Sequence, residues 1–155
     1  MKTKITNIST ICTWSPAEGK LVILSDIEIL VEDSTIIQIS KTVGGAEEEI
    51  DADGALITPG FVDSHTHPIF SGNRANEFGM RVSGKSYEEI ASMGGGIISS
   101  INEVRNASEE QLLEECLERI NFFLVHGTTT IEAKSGYGLT IEDELKSLRV
   151  IKRLN

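Results

Sequence analysis

Along the first sixty residues, apolar and polar positions alternate in short runs. Ile5, Ile8 and Ile11 stand among Thr, Asn and Ser, the pattern of a half-buried strand. Residues 27–32 (IEILVE) and 36–40 (IIQIS) predict two more strands, and Asp33-Ser34 between them suits a hairpin turn. Residues 15–20 (SPAEGK) read as a turn or exposed loop. Residues 42–49 read as a polar loop through Gly44-Gly45, and residues 51–54 (DADG) as a further turn. Residues 55–58 then lead into PGFVDSHTHP at 59–68. The pattern predicts a small β-rich unit over residues 1–58.

Beyond residue 59 the period lengthens. Residues 86–91 (SYEEIA) predict a helix, followed by Gly94-Gly-Gly96 as a hinge or close-packed turn. The strongest helical signal comes next. Ser108 can cap it with Gln111 three residues on, and Leu112, Leu113, Cys116, Leu117, Ile120, Phe123 and Leu124 form an apolar stripe. Gly127 stands just past its end. The β-branched run from Thr128 to Ala133 predicts a buried strand. A last helix opens at Thr140 with Asp143 three residues later and an apolar set of Ile141, Leu145, Leu148, Ile151 and Leu154.

Strand, helix, strand, helix over residues 59–155 is the order of βαβ units on a parallel sheet, so the class expected is α/β. Only two such strands are legible, at 60–63 and 128–132, and two strands do not complete a parallel sheet. The helical pattern is still running at Asn155. The expectation is a truncated sequence.

Composition narrows the function classes. Hydrophobic residues make up 39% and charged residues 25%, a globular balance. No run of 18 apolar residues exists, so neither a membrane span nor a membrane partner is expected. The N-terminal residues lack the continuous apolar segment of a signal peptide. Only Cys12 and Cys116 are present, far apart, which points to no disulfide framework and to a reducing cytoplasm. The net charge of −10, from 14 basic and 24 acidic residues, argues against nucleic acid as a partner.

Candidate chemistry centres on His65 and His67, two of three histidines in 155 residues. On an extended strand, residues i and i+2 project to one face. In parallel α/β folds, ligands bind beyond the carboxyl ends of strands. Imidazole suits zinc, iron and similar metals. A surface pair or a packed pair is the bland alternative. Two histidines do not complete a metal site, which usually takes at least three protein ligands, so the others must come from elsewhere.

PGFVDSHTHP resembles the first barrel strand of the amidohydrolase superfamily, with its signature of PG, two hydrophobic residues and D-x-H-x-H. Residues 70–78 (FSGNRANEF), 86–90 (SYEEI), 94–97 (GGGI) and 134–139 (KSGYGL) narrow the resemblance to the imidazolonepropionase family, from near residue 2 to the end. The resemblance implies the N-terminal part of a metal-dependent (β/α)8 TIM barrel over residues 59–155, preceded by part of a small β-sandwich over 1–58. It implies hydrolysis of 4-imidazolone-5-propanoate to N-formimidoyl-L-glutamate in histidine degradation, by a water activated on one zinc or iron ion. It assigns His65 and His67 to the metal. It assigns Arg74, Tyr137 and, with a looser match, Tyr87 to the substrate. It leaves room for a homodimer. The remaining metal ligands and the acid–base groups are expected outside these residues, so this chain alone is expected to be inactive. Another amidohydrolase, such as a deaminase or a dihydroorotase-like enzyme, and a non-catalytic metal-binding module are the rival readings. The FxGxR and KSGYG segments argue against the former.

Four further residues have ordinary readings. His126 falls at a helix C-terminus, where the dipole favours a cation. Asp63 either orients a histidine or closes an Asx turn. Lys134 reads as structural or pocket-lining. Glu132 lies on the second strand, at the barrel mouth or in a buried pair.

Overall fold

The computed structural model describes residues 1–155 and divides into two units, Met1–Pro59 and Gly60–Asn155.

The first unit is all β. Its strands are β1 (Lys2–Thr6), β2 (Thr10–Ser15), β3 (Lys20–Leu24), β4 (Glu28–Glu32), β5 (Thr35–Ser40), β6 (Glu48–Asp51) and β7 (Leu56–Ile57). They form one sheet in the order β5-β4-β1-β6 and a second in the order β3-β2-β7. Ile8, Ile11 and Ile29 are buried together, with Ile5, Leu24, Val31 and Ile57 packed on them, so the two sheets share one apolar core. The run of isoleucines expected to form one strand is split between the sheets. Asn7 breaks it with a positive φ of 52°, a conformation that Asn tolerates better than most residues. The neighbouring segment between β6 and β7 bends at the same place. Asp53 and Gly54 also have positive φ, and the Gly54 N–H donates to the Asn7 carbonyl at 2.8 Å.

Two expectations for this unit are corrected. Residues 42–49 are not wholly loop, because Glu48–Asp51 pairs in parallel with β1. That strand is exposed along its length, so its order comes from backbone pairing, and its charges suit a sheet edge. Residues 20–24 form β3, which pairs antiparallel with β2 around the turn that starts at Ser15.

The second unit holds β8 (Phe61–Thr66), α1 (Ala75–Val82), α2 (Tyr87–Ser92), α3 (Ile97–Asn106), α4 (Glu109–Val125), β9 (Thr128–Ala133) and α5 (Ile141–Leu154). β8 and β9 pair in parallel as a two-stranded sheet. Gly60 is required by that approach: a Cβ there would lie 2.1 Å from the Thr129 hydroxyl oxygen. Ile69, Val104, Ala107, Leu112, Cys116 and Val150 form the core.

The caps form where the sequence places them, although the Ser108–Gln111 capping box is only half made. Ser108 accepts from the Gln111 N–H at 3.1 Å, and Thr140 accepts from the Asp143 N–H at 3.1 Å. Ser86 and Glu89 complete a capping box on α2. Two helices escaped the sequence pattern, α1 and α3. The Gly94-Gly-Gly96 stretch is a close-packed turn into α3: Gly94 and Gly96 have positive φ, and a Cβ on Gly95 would meet Ile90 at 2.7 Å.

The buried faces also differ from expectation. On α5, Ser147 and Val150 are buried, whereas Ile141, Leu145 and Leu148 are 83%, 48% and 46% exposed. On α4, Leu117 and Leu124 face solvent while Leu112 and Cys116 are buried. β9 is only half-buried, because nothing in this unit covers its outer edge.

Lys146 on α5 serves the C-terminus of α3. Its ammonium donates to the carbonyls of Val104 (2.8 Å), Arg105 (3.0 Å) and Ala107 (3.1 Å), with Asp143 as counter-ion at 3.2 Å. These are the carbonyls that a helix end leaves without partners. Lys146→Met keeps the aliphatic stem and removes the donors. It is expected to lower unfolding stability by about 1.5–3 kcal/mol, the range for hydrogen bonds to a charged group. Chemical denaturation reads this as a lower midpoint at unchanged slope; an unchanged midpoint would count against the cap.

Candidate active site

β8 and β9 end together. Thr66 lies opposite Ala133, and the Lys134 N–H donates to the Thr66 carbonyl at 2.8 Å. The segment after β8 therefore leaves the sheet beside the loop after β9. This juxtaposes His67 with Lys134-Ser-Gly-Tyr-Gly138, segments about seventy residues apart in sequence.

The two imidazoles are neighbours. The His65 and His67 ring centroids are 5.2 Å apart, at 66° to each other. Two imidazoles on one tetrahedral ion, with metal–nitrogen bonds of about 2.0–2.1 Å, hold their centroids about 5 Å apart, so the pair is spaced for one shared cation. His67 Nδ1 is buried without a hydrogen-bond partner, an arrangement that disfavours the ring by about 1–3 kcal/mol unless a ligand relieves it. Both observations fit a metal. No set of three or more His, Cys, Asp or Glu side chains is gathered to hold an ion, so the histidine pair alone does not make up a metal site.

Asp63 fixes the backbone at His65. Its carboxylate accepts from the His65 N–H at 3.1 Å, an Asx closure, where the ladder to β9 is interrupted between Asp63 and Thr66. The segment after His67 is held from α4. Arg119 donates to the carbonyl of Pro68 at 2.9 Å, and its guanidinium lies 3.6 Å over the Phe70 ring. Glu115 in turn accepts from Ser71 (2.9 Å), Gln111 (2.9 Å) and Arg119 (3.2 Å). Burial pushes the Glu115 carboxyl up, but these donors outweigh it and hold it below the usual carboxylate range. Gln111 thus reaches Ser71 and Glu115, so α4 carries half of a capping box.

Tyr137 packs against His67 with ring centroids 5.6 Å apart. Gly136 lies under the same ring, where a Cβ would come within 2.9 Å of Cε1. The loop is clamped from two helices. Glu144 accepts from the N–H groups of Gly138 (2.8 Å) and Leu139 (2.7 Å), and Arg105 donates to the Gly138 carbonyl at 2.8 Å. Beside Tyr137 opens a cavity of about 370 Å³, lined also by Phe70, Arg74, Ser100 and Glu103. Arg74 reaches Ser100.

Tyr87 is not among the residues lining this cavity. Its hydroxyl lies against Gly96, where a Cβ would be 3.5 Å away. His126 stacks on Phe122, and its Nδ1 is 2.8 Å from the Phe122 carbonyl, which matches the helix-end reading. Lys134 and Glu132 form an ion pair with each other. Sequence reasoning missed Ser100, Arg119 and Glu144. Only Glu144 carried a signal, as one of three acidic residues opening α5.

No protein-family model matches the chain. An imidazolonepropionase of Serratia proteamaculans (strain 568) is 47% identical over 142 residues, covering 88% of this chain and 35% of the relative. That of Thermoanaerobacter pseudethanolicus is 44% identical over 134 residues, covering 85% and 32%. That of Vibrio parahaemolyticus is 56% identical over 107 residues, covering 69% and 26%. The chain belongs to the imidazolonepropionase family. It spans about a third of the length of the curated relatives it matches. Among solved structures, a triazine hydrolase variant superposes with a TM-score of 0.65 at 16% identity, covering 99% of this chain and 33% of that one. A guanine deaminase from C. acetobutylicum gives 0.53 at 15% identity, covering 99% and 33%. At such identity these neighbours establish a shared mixed α/β fold.

The Glu144 clamp makes a pH prediction. Burial pushes this carboxyl up, but the Ser135 hydroxyl and the N–H groups of Leu139, Gly138 and Gly136 outweigh it and hold it below its ordinary value. The clamp is therefore fully present above the ordinary carboxylate pKa and fades as pH falls through the lower folded value. Amide exchange of Gly138 and Leu139 is expected to be protected near neutrality and to lose that protection only once the pH has fallen below the ordinary carboxylate range. Glu144→Gln is expected to lose most of it at every pH, and unchanged protection in that variant would contradict the assignment.

Proposed function

We propose that this chain supplies about a third of a metal-dependent hydrolase that opens the ring of 4-imidazolone-5-propanoate to give N-formimidoyl-L-glutamate. One observation carries the reading: His65, His67 and Tyr137 converge at the end of a parallel strand pair, beside a cavity that holds Arg74. In this reading residues 59–155 form the opening strand–helix units of a (β/α)8 barrel, and residues 1–58 form part of a β-sandwich. A barrel of that kind takes about 250 residues. The half-covered β8–β9 pair supports this, because further parallel strands would complete its edges.

His65 and His67 would hold one zinc or iron ion, with further ligands from residues outside this chain. When bound, the ion lowers the pKa of a water toward about 7 and polarises the ring carbonyl. This chain's other residues bind and orient. Arg74 offers a planar guanidinium, suited to bidentate pairing with the propionate. Tyr137 offers an aromatic face to the ring and a hydroxyl for a hydrogen bond. The net charge of −10 is overridden locally, since Arg74 takes part in no ion pair within the chain.

A chimera tests the proposal, with this chain replacing the matching third of the Serratia proteamaculans relative. The chimera is expected to hydrolyse 4-imidazolone-5-propanoate. His65→Ala and His67→Ala are each expected to abolish metal retention and turnover. Arg74→Ala is expected to raise KM by about ten- to a hundred-fold, the scale of a lost charge-assisted pair. A folded, metal-loaded chimera that leaves imidazolone intact but deaminates guanine would overturn the reading.

A further inference from the structure

The Arg74 guanidinium is tethered in an unusual way. Its Nε (3.2 Å) and Nη2 (2.8 Å) both donate to one acceptor, the Ser100 hydroxyl oxygen on α3. No carboxylate lies within ion-pair distance of Arg74, although Glu103, less than one turn further along α3, lines the same cavity. A hydroxyl oxygen accepts hydrogen bonds without neutralising a cation. Holding the guanidinium by its Nε–Nη2 edge leaves the Nη1–Nη2 edge for an end-on bidentate contact. Three residues beyond Arg74, Glu77 accepts from the Gly96 N–H at 2.8 Å, at the first turn of α3. The segment that carries Arg74 is thus joined to α3 at two points.

We propose that Ser100 is a positioning residue for carboxylate recognition: it fixes the plane of Arg74, leaves its charge unpaired and keeps it from collapsing onto Glu103. The site this creates selects a monoanionic, planar carboxylate presented end-on. Loss of the tether frees a long side chain beside an acidic neighbour, so the guanidinium loses orientation and charge together. The inference rests on the reading of Arg74 as the carboxylate-binding group.

Two measurements test it. The first uses NMR of this chain. The Arg74 Nε–H signal is expected to be resolved and slowly exchanging, to average out in Ser100→Ala, and to return in Ser100→Thr, which restores a hydroxyl. The second uses the chimera with the Serratia proteamaculans relative described above. Ser100→Ala is expected to raise KM by about three- to ten-fold, the scale of one hydrogen bond, with kcat changed less than KM. Ser100→Thr should recover most of the loss. Ser100→Asp should raise KM further than Ser100→Ala, because it neutralises the guanidinium. If Arg74→Ala raises KM while Ser100→Ala moves neither KM nor the Nε–H signal, the positioning role is refuted. If Arg74→Ala leaves KM unchanged, the underlying reading of Arg74 fails instead.

Discussion

Phe61 donates its backbone N–H to Gly127 at 2.8 Å, and Lys134 donates its own to Thr66 at the same distance, so the ladder between β8 and β9 is closed at both ends. Everything at the candidate site follows from that parallel pairing. It sets His67 beside Tyr137 and aligns the end of one strand with the loop after the other. It also needs the absence of a side chain at Gly60, where Thr129 passes, and at Gly136, where the His67 ring rests. A parallel pair needs a long crossover, and here α1 to α4 supply it. The crossover is also a source of the side chains that hold the site.

Those side chains work mostly on backbone groups that regular structure leaves unpaired. Lys146 takes the carbonyls that end α3, Glu144 takes the N–H groups of the Tyr137 loop, and Arg119 takes the carbonyl after His67. Buried or half-buried backbone polar groups must find partners, and charged side chains meet that need with short, directional bonds. Arg74 is the exception, since its partner is a neutral hydroxyl and its charge remains available. The contrast separates residues whose charge is used on the backbone from one whose charge is left free.

What the sequence made legible was local. Caps at Ser108 and Thr140, the stop at Gly127 and the strand around His65 were readable because their causes lie within a few residues. The pair His65 and His67, with Arg74 and Tyr137, was readable through spacing and resemblance. The roles of Ser100 and Arg119 were not, because each acts on a residue 26 or 51 positions away. α3 was hidden by the glycines that begin it, whose purpose shows only against Ile90. The apolar set of α5 misled. Its buried face is turned to seat Ser147 and Val150, which leaves Ile141, Leu145 and Leu148 outward. In a chain that spans a third of its relatives, apolar periodicity marks faces that need covering, and these residues cover only some of them.

The shared orientation of two imidazoles, one on β8 and one just past its end, is the claim on which the functional reading turns. The most direct measurement follows the side-chain NMR resonances of all three histidines in this chain as zinc is added. Residues 65 and 67 are expected to shift together along one binding curve, with residue 126 moving apart from them or not at all. Separate curves for 65 and 67, or a shift of only one, would show that the rings do not share an ion and would contradict the account.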